Sequence, residues 1–212
     1  MRLLALTDMH GEEIVLEKIT PVLKKKYDYI LVLGDITHKG PPSFADSFLS
    51  LLPKNTLALR GNMDPDDVAQ LIETRGVSLH ARRVEAGRFN FVGFGGSNPT
   101  PFGTPREFTE DEIYSALSAL NIDANTILVT HAPPFDTPFD LVGGGAHVGS
   151  KSIRKIIDER QPLLNLCGHI HEHEGEVEIG KTKIVKVAPA SEGKGAEISI
   201  TARKIEVRFI RF

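Results

Sequence analysis

Seven side chains able to ligate a metal stand at the ends of apolar runs in this chain. Leu3 to Thr7 leads into Asp8-Met9-His10, and Ile30 to Gly34 leads into Asp35. Thr56 to Gly61 leads into Asn62, Ile127 to Thr130 into His131, and Leu163 to Gly168 into His169-Ile170-His171. Every donor is a carboxylate or amide oxygen or an imidazole nitrogen. That mixture suits manganese, iron, zinc, nickel or cobalt better than a thiolate-selected ion. Asp8 and His10 are two apart in an extended segment, so their side chains can share a side, and His169 and His171 repeat the spacing. Seven ligands exceed what one tetrahedral ion takes, whereas two ions sharing one carboxylate use them all. Two divalent ions bring about +4 against about −3 from Asp8, Asp35 and a bridging hydroxide, leaving roughly +1 to attract a phosphate ester. Asn62 must be neutral for that residual charge to survive.

Elements that position these donors are legible in the periodicity. Short continuous apolar runs bounded by turn signals read as buried strands of a largely parallel sheet. Ligands of open α/β sheets bind beyond the carboxyl ends of such strands. Helical spacing runs from Gly11 to Lys26 through Ile14, Leu16, Ile19 and Leu23, with Pro21 a point of kinking. Phe44, Phe48, Leu51 and Leu52 mark one apolar helix face, and Ile153, Ile156 and Ile157 another helix that Pro162 stops. Asp64-Pro65 reads as an N-cap and first helical residue, and Thr109 to Glu112 as a capping box. A strand pair falls near Val77 to Gly93. Beyond His171, segments 176–179, 182–187, 197–201 and 204–209 read as consecutive strands of a second, more antiparallel sheet packed on the first. Two long Gly- and Pro-containing connections, Gly95 to Phe108 and Ala132 to Gly149, are placed to wall a site. No linker divides residues 1–212, which read as one domain.

Bulk properties fit this chemistry. Of 212 residues, 41% are hydrophobic and 25% charged, as in ordinary globular proteins. A formal net charge of −3 gives no positive support for a nucleic-acid partner. No apolar run approaches the ~18 residues of a membrane span, and Asp8 and His10 interrupt the first run too early for a signal peptide. The lone Cys167 forbids an internal disulfide and fits a reducing, cytoplasmic setting, as a buried thiol rather than a nucleophile. A homo-oligomer is left open.

The motifs D-x-H, GD, GN, a lone H and G-H-x-H, in that order, resemble the calcineurin-like metallophosphoesterases across nearly the whole chain. The resemblance implies an α/β fold, a four-layer α-β-β-α sandwich with two mixed sheets. It implies one ion on Asp8, His10, Asp35 and His171, and a second on Asp35, Asn62, His131 and His169, with Asp35 bridging. It also implies hydrolysis of a small phosphate ester by a metal-bridged hydroxide, with Asp35 and Asn62 in the reacting centre. One position departs, because Met63 replaces the histidine that follows GN in the family. A thioether cannot protonate a leaving group, a step worth ~10²–10⁴-fold. Small prokaryotic and archaeal members lacking this histidine resemble phosphodiesterases, so a phosphodiesterase is expected here. A phosphomonoesterase or protein phosphatase, or a binding module such as the family's relative in retromer, are the alternatives. His147, in the glycine-rich Gly143 to His147 stretch, is the first candidate replacement acid or phosphate contact, and His38 the second. His80 falls outside the motif order, and Arg60 reads as paired to a carboxylate.

Overall fold

A computed structural model describes residues 1–201 and 204–212. Its centre is a stack of two mixed sheets. The first holds β1 (Arg2–Leu6), β2 (Tyr29–Val32), β3 (Thr56–Ala58), β12 (Lys194–Ile200) and β13 (Ile205–Arg211), in the order β13-β12-β1-β2-β3. The second holds β4 (Arg82–Ala86), β5 (Phe89–Phe94), β6 (Thr126–Thr130), β9 (Leu164–Cys167), β10 (Gly175–Ile179) and β11 (Thr182–Lys186), in the order β10-β11-β9-β6-β5-β4. Each has a parallel centre, β1-β2-β3 or β5-β6-β9-β11, and antiparallel neighbours outside it.

The layers follow from the two-residue period of the strands. Leu3, Ala5, Leu31 and Leu33 face Phe91, Ile127, Val129, Leu164, Leu166 and Val185 between the sheets. Leu4, Leu6, Ile30 and Val32 turn the other way, against α1 (Ile14–Leu23), α2 (Pro42–Leu51) and α3 (Asp66–Thr74). Val92, Leu128 and Ile184 meet α4 (Glu110–Ser118) and α5 (Lys151–Arg160). These runs are apolar on both faces because both faces are covered, giving helices, sheet, sheet, helices: the expected four layers. Each fully buried aliphatic side chain contributes about 1.5–3 kcal/mol, a reserve that can hold strained backbone at the strand ends.

Three local expectations are corrected. The strands after His171 do not form a sheet of their own: β10 and β11 extend the second sheet while β12 and β13 complete the first. Their alternation reports half-burial but carries no information about partner strands. Leu51 is exposed, and α2 buries Phe44, Ala45, Phe48 and Leu49 instead. The N-cap of α3 is Pro65, not Asp64. The Thr109–Glu112 capping box is present as read, and α1 is shorter than its periodicity, ending two residues past Pro21. No described helix is long and apolar enough to cross a membrane.

Candidate metal centre

All seven donors lie just past strand ends, four of them on unusual backbone. Asp8, His10, Asp35 and His169 have φ of 55°, 52°, 50° and 75°, a left-handed conformation that non-glycine residues seldom adopt. Each such residue costs about 1–3 kcal/mol and persists only where its surroundings enforce it. Hydrogen bonds between strand ends do so: Asp8 N–H donates to Gly34 O (3.0 Å), His10 N–H to Asp35 O (3.1 Å) and Gly168 N–H to His131 O (2.9 Å). The strand ends also crowd together. A Cβ at Gly61 would fall 1.9 Å from Asp35 Oδ1, and one at Gly168 would fall 2.1 Å from Thr7 Oγ1. The glycines of GN and G-H-x-H therefore permit the approach of neighbouring donors.

Side chains gather into two groups. Asp8, His10 and His171 form one, and Asp35, His131 and His169 the other; in each, one ligand atom per residue lies within 4.8 Å of the others. Asn62 joins the second, its Oδ1 2.9 Å from His131 Nε2. His131 Nε2 is 3.4 Å from Asp35 Oδ2, and its Nδ1 faces Leu33 O at 3.0 Å, which fixes the ring. Asp8 Oδ2 accepts from Thr7 Oγ1 (2.8 Å) and His169 N–H (3.0 Å). Asp8 Oδ1 has no hydrogen-bond partner although buried, and stands 3.8 Å from His10 Nε2 and 3.6 Å from His171 Nε2.

These features fit divalent cations. A buried carboxylate oxygen without a hydrogen-bond partner is costly, and the His10 and His171 Nε2 atoms face each other at 3.2 Å around the same space. Asp8 and Asp35 draw positive charge onto two of the imidazoles, His171 and His131. Burial alone would depress His131, but Asp35 outweighs it and lifts the ring to about 9. His169, buried and beside His131, is pushed down to about 4. Burial would raise Asp8, yet His171, His131 and Lys186 hold it far below the usual carboxylate range.

Residues 1–173 match the model of the calcineurin-like phosphoesterases. The chain belongs to this family. The family uses divalent metals to hydrolyse phosphoesters, and the two donor groups are candidate ligand clusters for such ions. A Methanocaldococcus jannaschii relative, uncharacterized protein MJ1162, is 37% identical over 201 residues, covering 90% of this chain and 89% of its own. Among solved structures, TT1561 of Thermus thermophilus has a TM-score of 0.71 at 20% identity, covering 98% of this chain and 97% of its own. A dimetal phosphatase from Danio rerio has a TM-score of 0.70 at 11% identity, covering 99% and 95%.

Beyond the donors, this phosphoesterase carries groups that the motifs do not announce. His38 and His147 both line the cleft above the donors, as does Met63. His38 is exposed, its ring centroid 5.6 Å from that of His10. His147 lies in a small hairpin of β7 (Leu141–Val142) and β8 (Ala146–His147), so Gly143 to Gly145 serve a turn. Its Nδ1 is 2.8 Å from Oδ1 of Asp140, a fully buried carboxylate that also accepts from the backbone N–H groups of Asp136, Thr137 and Gly149. Sequence reasoning missed Asp140, which is one acid among several in a loop. Asp64 takes bonds from Ile36 N–H, Thr37 N–H, Thr37 Oγ1 and Gly61 N–H, clasping the Asp35 turn to the Asn62 turn. Burial and the charge of Asp35 raise Asp64 to about 6. Lys186 was also missed; it is fully buried and donates to Val187 O at 2.9 Å. The available signal was parity, since Lys186 shares a strand face with buried Ile184. Arg60 pairs with Asp66 at 2.8 Å. His80 accepts from Gly95 N–H and packs against both Phe94 and Phe108, a structural role. Burial lifts Cys167 to about 12, so it is a protonated thiol near neutral pH.

Proposed function

We propose that this phosphoesterase hydrolyses phosphodiesters, using two divalent ions held by Asp8, His10 and His171 on one side and Asn62, His131 and His169 on the other, with Asp35 shared. The observation carrying this reading is the pair of donor groups on the floor of one cleft, with Met63 in place of a proton donor. Such ions supply Lewis acidity and an activated water when bound, with manganese the first choice and iron, zinc, nickel or cobalt able to serve. Asp35 and Asn62 set the charge that faces the phosphate: one carboxylate is shared, and a neutral amide stands where a further acid would repel the substrate. Leu33 O orients His131, while Thr7 Oγ1 and His169 N–H orient Asp8.

A proton for the departing alcohol has two candidate sources, His147 and then His38. Asp140 holds His147 by its Nδ1, leaving Nε2 as the atom able to give a proton. This pair favours one second reading, a phosphomonoesterase in which His147 replaces the absent histidine. A non-catalytic module is disfavoured because no donor is missing. The substrate is a small ester, with no support for nucleic acid. The lone buried Cys167 suits the cytoplasm.

The deciding assay compares bis-p-nitrophenyl phosphate with p-nitrophenyl phosphate, with Mn²⁺ added and metal content measured, beside Asp35→Asn. Diester turnover exceeding monoester turnover and falling at least ~10²-fold in the variant is expected. Preferential monoester turnover shifts the assignment to the second reading. Bound metal without turnover of either overturns both.

A further inference from the structure

The cleft above the donors encloses about 1170 Å³, far more than a phosphate needs, and much of its wall away from the donors is apolar. Four large hydrophobic side chains stand exposed among the described residues, and two of them, Phe102 at 81% and Val148 at 37%, line this cleft. The turn that displays Phe102 is tightly built. Glu107 Oε1 accepts from Thr100 Oγ1 (2.6 Å), Thr104 N–H (2.8 Å) and Thr104 Oγ1 (2.7 Å), and Phe102 N–H donates to Thr100 Oγ1 (3.2 Å). Asn98 Nδ2 donates to Val148 O at 3.1 Å, which ties this loop to the segment after β8. Phe102 is thus held out toward solvent by an acid clasp, and with Val148 it adds exposed apolar surface to the wall of the cleft, as in pockets that take apolar groups.

Charge narrows what that surface takes. The cations on the cleft wall are Lys39 and Lys151, opposed by Glu110 and Glu172. Glu110 is engaged by Ser150 Oγ, Lys151 N–H and Ser152 N–H, and Lys151 Nζ lies 5.3 Å from the Phe135 ring centroid. A balanced rim of this kind offers no track for a second or third phosphate.

We propose that Phe102, with Val148 on the same cleft wall, binds the retained arm of the ester, and that this arm is a flat uncharged ring, either an aryl group or a nucleobase. The assignment rests on the phosphodiesterase reading. Ring stacking on an aromatic side chain is worth roughly tenfold or more in affinity.

The experiment uses three diesters that share p-nitrophenolate as leaving group and differ in the retained arm: methyl, phenyl and thymidin-5′-yl. Wild type is expected to favour the ring-bearing esters over the methyl ester by roughly tenfold in kcat/KM, mainly through KM. Phe102→Ala should bring that ratio close to one, and Phe102→Trp should keep it; so exposed a residue puts folding at little risk. Preference for phenyl alone identifies an aryl arm, and preference for both rings identifies their shared flat face. Preference for thymidine alone that Phe102→Ala abolishes identifies a nucleobase arm, and a ratio that Phe102→Ala leaves intact overturns the proposal. If no diester turns over, the phosphodiesterase reading falls, and calorimetry of phenylphosphonate against methylphosphonate with Mn²⁺ decides the subsite separately. Equal affinities, or a difference insensitive to Phe102→Ala, overturn it.

Discussion

At the residue scale, the chemistry depends on small groups that let large ones converge. Gly61→Ala would drive a methyl into the Asp35 carboxylate, so it should cut bound metal and turnover by an order of magnitude or more while leaving the circular dichroism spectrum native-like. Full metal occupancy and wild-type turnover in that variant would show that the crowding relaxes at no expense. His147→Ala separates the proton question from the metal question. If His147 is the donor, the loss should reach ~10²-fold for an alkyl leaving group and be much smaller for p-nitrophenolate, which needs no proton. A loss equal for both leaving groups would mean His147 only shapes the cleft. The seven donors were readable because each ends an apolar run, so position along the chain and position in space coincide. Asp140 and Glu107 were not, because an acid in a long loop looks alike whether it clasps a turn or faces water. Only the donors that meet it tell them apart.

At the element scale, helices and sheet centres were legible and their edges were not. Apolar runs such as Ile127 to Val129 announce strands covered on both faces, and Thr109 with Glu112 announces the start of α4. Nothing in β12 specifies that it lies antiparallel to β1 rather than beside β11, since that choice is made by packing across the whole stack. The reassigned role of Asp64 belongs here too, because it joins two turns rather than capping a helix. Asp64→Ala strips the acceptor from three backbone N–H groups and the Thr37 hydroxyl, and should destabilise the protein by about 3–5 kcal/mol, measured by urea denaturation. An effect below about 1 kcal/mol would mean those donors find other partners.

At the scale of the whole molecule, charge and cohesion can be tested. Glu197 on β12 accepts from Lys25 Nζ (3.0 Å), Tyr27 Oη (2.9 Å) and Arg208 Nη2 (2.5 Å). Burial would raise its carboxyl, but these bonds, Arg208 foremost, hold it down at about 2 against an ordinary 4.5. A depressed carboxyl stabilises the fold fully above the ordinary value and ceases to do so as pH falls toward the depressed one. Wild type should therefore exceed Glu197→Gln by about 1–2 kcal/mol at pH 7, after allowance for screening of its half-exposed cations, and the gap should close between pH 4.5 and 2. A gap constant with pH would assign the effect to packing. We further propose that residues 1–212 unfold as one unit, because the chain crosses between the sheets and all layers share cores. Fluorescence and circular dichroism transitions that fail to coincide would divide it.

β1 sits in the middle of its sheet, yet one of its two neighbours lies far away along the chain: Arg2 is registered with Ser199 and Ala5 with Ala196. A ribosome adding about 5–20 residues per second reaches β12 roughly 10–40 s after β1 has been made. Throughout that interval an apolar strand has an unpaired edge, and the backbone of Asp8 lacks its hydrogen bond from Ser191 N–H. The metal centre is consequently a late product of synthesis. A nascent chain stalled before residue 190 carries all seven donors but lacks both the strand that pairs with β1 and the bond that holds the Asp8 backbone, a sticky intermediate of the kind that chaperones shield.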